Sequence, residues 1–221
     1  MNIAIDGPSG AGKSSLAKAI AKRLGIIYVD TGALYRTIGL YVREQGVDPH
    51  DEAAVTALLP RIELSLRFEN GAQRIYLCGE DVGDRIRTPE MSLYASAVSA
   101  IGAVRSFLLE TQRRVAKETS VVMDGRDIGT VILPDAECKI FLTASSEARA
   151  RRRTAELLGK GMQVTYEEVL SDMLLRDRND STRAIAPAIP AKDAVMLDNS
   201  DMSEEDTLNA ALEIIENSTK I

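Results

Sequence analysis

Gly7-Pro8-Ser9-Gly10-Ala11-Gly12-Lys13-Ser14 fits the pattern G-x-x-x-x-G-K-[ST]. Glycines in such a stretch let the backbone curl until its N–H groups converge on phosphate oxygens. The positive end of the helix that follows adds to the attraction. Lys13 has the type and spacing to reach β- and γ-phosphates, and the Ser14 hydroxyl to hold Mg²⁺. This is the chemistry of a nucleoside triphosphate, so the open question is where the γ-phosphate goes.

The flanking residues are those that would position such a loop. Residues 2–6, with Ile3-Ala4-Ile5, read as a strand. Ser14 to Leu24 reads as a helix with Leu16, Ile20 and Leu24 in one stripe and Ala17 and Ala21 beside it, ended by Gly25. Ile26-Ile27-Tyr28-Val29 is a second buried strand running into Asp30-Thr31-Gly32. A strand–helix–strand unit of this kind predicts a parallel sheet, with ligands gathered at the carboxyl ends of its strands.

Further along, Ala33 to Gln45 and residues 52–59 are helical in pattern. Ile62, Leu64, Leu66 and Phe68 then alternate with Glu63, Ser65 and Arg67, as in a half-exposed strand. Asn70-Gly71 signals a hairpin turn, Arg74 to Cys78 the return strand, and Gly79 to Val82 a possible third. An antiparallel patch does not belong inside a parallel sheet, so residues 37–105 read as an insertion. Thr88-Pro89 starts another helix. A break near Ile101-Gly102 precedes a helix with Val104, Leu108 and Val115 on one face. Ser120–Met123, Lys139–Leu142 and Val195–Leu197 supply three more core strands. Thr165-Tyr166-Glu167-Glu168 is a capping-box signal, and the closing helix from Ser203 to Asn217 would turn Leu208, Leu212 and Ile215 inward. The expected architecture is α/β: a three-layer P-loop fold with a five-stranded parallel sheet. Its core covers 1–36 and 106–221, with a helical lid at about 150–165.

Bulk composition narrows the partners. A net charge of −6 over 221 residues argues against a broad nucleic-acid or membrane surface. No apolar run approaches membrane-spanning length and no signal-peptide pattern opens the chain, so a cytoplasmic location is expected. Cys78 and Cys138 read as buried free thiols, and His50 is the only histidine, which leaves no Cys/His metal cluster.

Local basic residues must therefore serve something small and anionic. Arg36, Arg126, the run Arg151-Arg152-Arg153, Arg176 and Arg183 each follow a strand or flank the loop Gly159-Lys160-Gly161. Arginine forks grip phosphate and stay charged, so such a set can neutralise charge that develops during phosphoryl transfer. Arg151–Arg153 also read as a solvated helix face paired with Glu147 and Glu156. Asn-Lys-x-Asp, the base-reading motif of GTPases, is missing. A small P-loop kinase remains, with Arg152 and residues 7–15 on the ATP side. A nucleoside monophosphate offers an oxygen already ionised near neutral pH, since its second phosphate pKa is about 6. It needs no histidine base. The residues alone leave open a kinase for another monophosphate or a small hydroxy acid, and a non-catalytic nucleotide-binding regulator.

Four segments resemble the bacterial-type cytidylate kinases. They are Ile5 to Ser15, Asp30-Thr31-Gly32-Ala33-Leu34-Tyr35-Arg36, Asp124-Gly125-Arg126-Asp127-Ile128-Gly129-Thr130, and Arg176-Asp177-Arg178-Asn179-Asp180 running on to Arg183. The resemblance implies transfer of phosphate from ATP to CMP or dCMP with Mg²⁺, in a chain of the commonly monomeric kind. It implies acceptor contacts from Thr31, Tyr35 and Arg36. It implies cytosine reading by Ser96, Arg105 and Asp127, and a phosphate clamp of Arg126 and Arg183 acting with Lys13. Arg176 and Asp180 would lie near the sugar and the transfer point. The other reading of Asp127 is an ion pair to Arg126 or another neighbour.

Overall fold

The computed structural model describes residues 1–69 and 72–219. The chain divides into two compact units, Met1–Ile26 with Val121–Ile221, and Ile27–Ser120.

The first unit is built on β1 (Asn2–Asp6), α1 (Lys13–Leu24), β6 (Val121–Asp124), β7 (Cys138–Thr143), α6 (Ser146–Gly159), α7 (Tyr166–Thr182), β8 (Val195–Asp198) and α8 (Glu204–Thr219). The second holds β2 (Ile27–Asp30), α2 (Thr31–Glu44), α3 (Glu52–Leu58), β3 (Leu64–Glu69), β4 (Ala72–Leu77), β5 (Glu80–Asp81), α4 (Pro89–Val98) and α5 (Gly102–Glu118). The five-stranded sheet has the order β2-β6-β1-β7-β8. β1 pairs in parallel with β6 (Ile3 opposite Val122) and with β7 (Ile5 opposite Ile140), and β7 pairs in parallel with β8. Ile3, Ala4, Ile5, Val121, Val122 and Met123 are wholly buried, as strands covered on both faces require. Parallel strands place their carboxyl ends on one edge, which puts Asp6 and Asp124 at the mouth of the phosphate loop.

A single π-helical turn, Ile128–Ile132, follows β6. It was not foreseen, and both carboxylate oxygens of Asp6 fix its start. They accept the N–H groups of Ile128 and Gly129, each at 2.7 Å. In the first unit the buried line of α8 is Thr207, Ala211 and Ile215, with Leu208 and Leu212 only half-buried. The expected Leu24 end of the α1 stripe is exposed instead. Apolar spacing of four residues drifts around a 3.6-residue helix, so the stripe leaves the core by its last turn.

In the second unit, β3, β4 and β5 form an antiparallel sheet, Leu66 opposite Ile75 and Phe68 opposite Gln73. The Asn70-Gly71 turn lies outside the described residues. On β4 the pleat turns Gln73, Ile75 and Leu77 to one face. Ile75 and Leu77 join a core with Leu34, Ile38, Met91, Val98, Val104 and Leu108. Only Val29 of β2 is fully buried, so that strand is less covered than its apolar run suggested. Cys78, expected buried, is exposed; it has φ 48° at the turn leaving β4, which swings its side chain out. Cys138 is buried as expected. α2 and α4 meet at Gly39, where an added Cβ would stand 2.8 Å from the Tyr94 Cβ. No single helix among the described residues is long and apolar enough to cross a membrane.

Candidate active site

The phosphate loop passes from β1 to α1 through residues 7–12. Gly7 has φ +147°, and a Cβ there would collide with the Leu142 carbonyl oxygen, so only glycine fits. Gly12 caps α1 in the left-handed region without a side chain, which leaves the first-turn N–H groups to an anion. Lys13 is buried and its Nζ donates to the Pro8 carbonyl at 2.5 Å. Burial, then the Arg126 charge, pulls the Lys13 ammonium well below the usual lysine range; Asp124 and Asp6 act in the opposite sense. Burial likewise pushes the Asp6 carboxyl up to about 6, against the pull of its two amide donors.

Ser14 Oγ donates to Asp124 Oδ2 at 2.7 Å. A hydroxyl beside a carboxylate at a phosphate loop is a hard-oxygen pair that suits Mg²⁺. That ion takes one or two protein oxygens and completes its shell with water and phosphate. No group of three or more His, Cys, Asp or Glu residues among the described residues could hold a metal by itself.

Two residues with no role assigned from their sequence context hold the loop from outside. Asp177 Oδ1 accepts the Ser9 N–H at 3.0 Å, and Arg149 Nη1 donates to the Ser9 carbonyl at 2.8 Å. Arg149 and Asp177 also pair with each other at 2.5 Å. The Ser9 N–H is thus bound from α7 and its carbonyl from α6. Arg152, expected on ATP, donates to Asn199 Oδ1 at 3.0 Å and to the Asn199 carbonyl at 2.6 Å. Asn199 Nδ2 in turn donates to the Ala11 carbonyl at 3.1 Å. Arg153 pairs with Glu156 at 2.7 Å, and Arg151 is exposed, so part of the arginine run is indeed a solvated face.

Carboxylates and arginines also gather at the end of β6. Arg126 Nε reaches Asp180 Oδ2 at 2.9 Å, and Arg176 Nε lies 3.9 Å from the same oxygen. Arg183 Nη2 stands 3.8 Å from Asp127 Oδ1, and its Nε donates to the Ala186 carbonyl at 2.7 Å. Burial pulls Asp180 upward, but Arg126, Arg176 and Arg183 outweigh it and hold the carboxyl below the usual range. It therefore stays ionised at neutral pH. Asp127 is 3% exposed at the entry to the π-turn.

In the second unit, β2 gives way to α2 with no intervening loop. Asp30 caps α2 through Oδ1, which accepts the Ala33 N–H at 2.9 Å, while Oδ2 takes Arg36 Nη2 at 2.8 Å. Thr31 and Tyr35 are buried on the same helix. The Arg105 guanidinium lies over the Tyr35 ring, 5.4 Å from its centroid, and donates to the Ser99 carbonyl at 3.0 Å. Ser99 Oγ donates to the Ser96 carbonyl at 2.8 Å. Tyr35, Ser96 and Arg105, far apart in sequence, are thereby brought into one neighbourhood.

A family model described as "Cytidylate kinase" matches residues 3–217. The cytidylate kinase of Caldicellulosiruptor bescii is 48% identical over 214 residues, 97% of this chain and 95% of its own. That of Thermosipho melanesiensis is 48% identical over 219 residues, 99% and 98% of the two chains. The crystal structure of an uncharacterised protein from Eubacterium ventriosum aligns with a TM-score of 0.56 at 15% identity, over 98% of each chain; this is a likeness of fold alone.

Proposed function

The chain belongs to the cytidylate kinase family and passes the γ-phosphate of ATP to CMP or dCMP, and we propose that its residues divide that work as follows. Gly7 to Ser15 hold the donor phosphates on backbone N–H groups, and Arg152 belongs to the same side. Lys13, Arg126 and Arg183 neutralise the charge spread over the transferred group while an oxygen of the acceptor phosphate attacks and ADP leaves. That oxygen is already ionised, so no base is required of the protein. Asp180, held ionised, fixes the Arg126 fork and stands near Arg176.

Ser14 and Asp124 are the residues that would hold Mg²⁺, which when bound neutralises β- and γ-oxygens. Thr31, Tyr35 and Arg36 contact the acceptor, with Arg36 on its phosphate. Asp127 accepts from the cytosine N4 amino group, and Arg105 and Ser96 serve its N3 and O2 acceptors. Arg176 and Asp180 lie near the sugar and the transfer point. The same reading keeps residues 37–105 as the acceptor-binding insertion, about 150–165 as a lid, and the chain as a cytoplasmic monomer.

The observation that carries this division is the gathering of Arg126, Arg176 and Arg183 on the buried carboxylates of Asp180 and Asp127, in the unit that carries Lys13. The test offers ATP and Mg²⁺ with CMP, dCMP, UMP, AMP, GMP, dTMP and shikimate in turn, and follows ADP. CMP and dCMP should lead by a wide margin. A lead for another acceptor, or no acceptor-dependent ADP, overturns the reading.

A further inference from the structure

One polar side chain on the small sheet has no part in the chemistry above. Gln73 shares the inward face of β4 with Ile75 and Leu77, where an apolar residue would be the ordinary choice. Its Oε1 accepts the Asp30 N–H at 2.8 Å, and its Nε2 donates to the Asp30 carbonyl at 3.2 Å. A carboxamide is the one neutral side-chain group that offers a donor and an acceptor side by side, as a backbone peptide does. Gln73 thus supplies Asp30 with what a neighbouring strand would supply, 43 residues away in sequence.

The place matters because Asp30 is where extended chain becomes helix, at φ −82° and ψ 94°, with Thr31 already in the first turn. Both carboxylate oxygens of Asp30 are engaged too, one capping Ala33 and the other aiming Arg36. A shift of the Asp30 peptide moves the cap, the helix start and the arginine together. We propose that Gln73 is a positioning residue for the acceptor nucleotide, setting Thr31, Tyr35 and Arg36 through Asp30. The proposal rests on the reading of that segment as the acceptor contact.

Removing both hydrogen bonds should weaken acceptor binding and leave donor binding alone. Gln73→Leu keeps the bulk and loses both bonds. Gln73→Glu keeps the acceptor for the Asp30 N–H, loses the donor, and sets a second carboxylate beside the Asp30–Arg36 pair. Steady-state kinetics with CMP varied at saturating ATP, and with ATP varied at saturating CMP, separate the two sides. Calorimetric titration with CMP gives affinity without turnover, and Arg36→Met is the reference. KM and Kd for CMP should rise about tenfold in Gln73→Leu and several-fold in Gln73→Glu. KM for ATP should stay within about twofold of wild type, as no lost bond faces the donor. If Arg36→Met raises KM for CMP while both Gln73 variants bind CMP as the wild type does, the inference falls and the acceptor reading stands. A Gln73 variant that only melts earlier, with unchanged KM for CMP, overturns it in the same way. If Arg36→Met leaves KM for CMP unchanged, the acceptor reading itself falls.

Discussion

The phosphate loop and the Asp30–Arg36 segment are both junctions from strand to helix, and they are held by different forces. The first spends residues 7–12 on the crossing; the second spends none. A longer crossing has more backbone freedom to freeze, roughly 1–2 kcal/mol per residue. The phosphate loop accordingly draws ties from distant elements: Asp177 and Arg149 on Ser9, and Asn199 on Ala11. Most of those ties are charged. The second junction is secured by its own cap, one ion pair and a neutral carboxamide. Charge is thus concentrated around the loop that must meet a polyphosphate, while the second junction carries the single ion pair of Asp30 with Arg36. Buried ion pairs contribute little net stability, so such a concentration is better explained by chemistry and positioning than by folding.

That contrast can be broken most forcefully at Lys13. Lys13→Ala should lower turnover by about 10³-fold, since on the proposed reading it removes the cation that meets the transferred group. The ADP-formation assay reads it directly, and near-normal turnover would deny the loop its electrostatic task. Next in size is the brace on Ser9. Arg149→Met and Asp177→Asn each strand a largely buried partner, and each should cost about 2–4 kcal/mol in denaturant unfolding. The double variant should cost clearly less than the sum, and KM for ATP should rise while KM for CMP holds. Additive losses would mean that the two residues do not act as a pair.

A third effect concerns pH. The folded pKa of Asp6, about 6, lies above the ordinary 3.8, so the native chain holds an extra proton between those values. Stability from that proton is complete below about pH 4 and is lost as pH rises through about 6. The full swing is on the order of 3 kcal/mol. Asp180, whose pKa is held low, acts with the opposite sign and loses its contribution as pH falls. Asp6→Asn should erase the decline between pH 4 and 6 in a profile of melting temperature, and a variant profile parallel to wild type would refute it. The smallest effect is expected at Asp127. Asp127→Asn puts an NH2 donor in place of one carboxylate oxygen and should lower the preference for CMP over UMP by about tenfold, with KM for ATP unchanged. An unaltered preference would remove Asp127 from base reading.

What the sequence made legible follows the same divide. Features set by local spacing were readable: the phosphate loop, the Thr165 capping box, the Thr88-Pro89 helix start and the alternation that marks β3. Tertiary ties were not. Asp177 and Arg149 were visible as charged residues in charged surroundings, and nothing in either neighbourhood names Ser9 as their partner. The π-turn depends on Asp6, 122 residues upstream of Ile128, and no window of sequence spans that distance. Gln73 carried one faint signal, a polar residue on an otherwise apolar inward face. In α8 the spacing gave the right helix and placed Ile215 inward correctly, but the row it chose, Leu208 and Leu212, is only half-buried and Thr207 and Ala211 lie deeper.

Gly39 sets a length as well as a contact. Because α2 and α4 touch there at backbone distance, the interval between Arg36 on one helix and Ser96 on the other is fixed like the jaws of a caliper. On the proposed reading, which sets the acceptor phosphate on Arg36 and its base near Ser96, that interval governs how far apart the two ends of the nucleotide are held. A single methyl at position 39 would stand 2.8 Å from the Tyr94 Cβ, so α2 and α4 would have to part and the gauge would be reset without any change to Arg36 or Ser96.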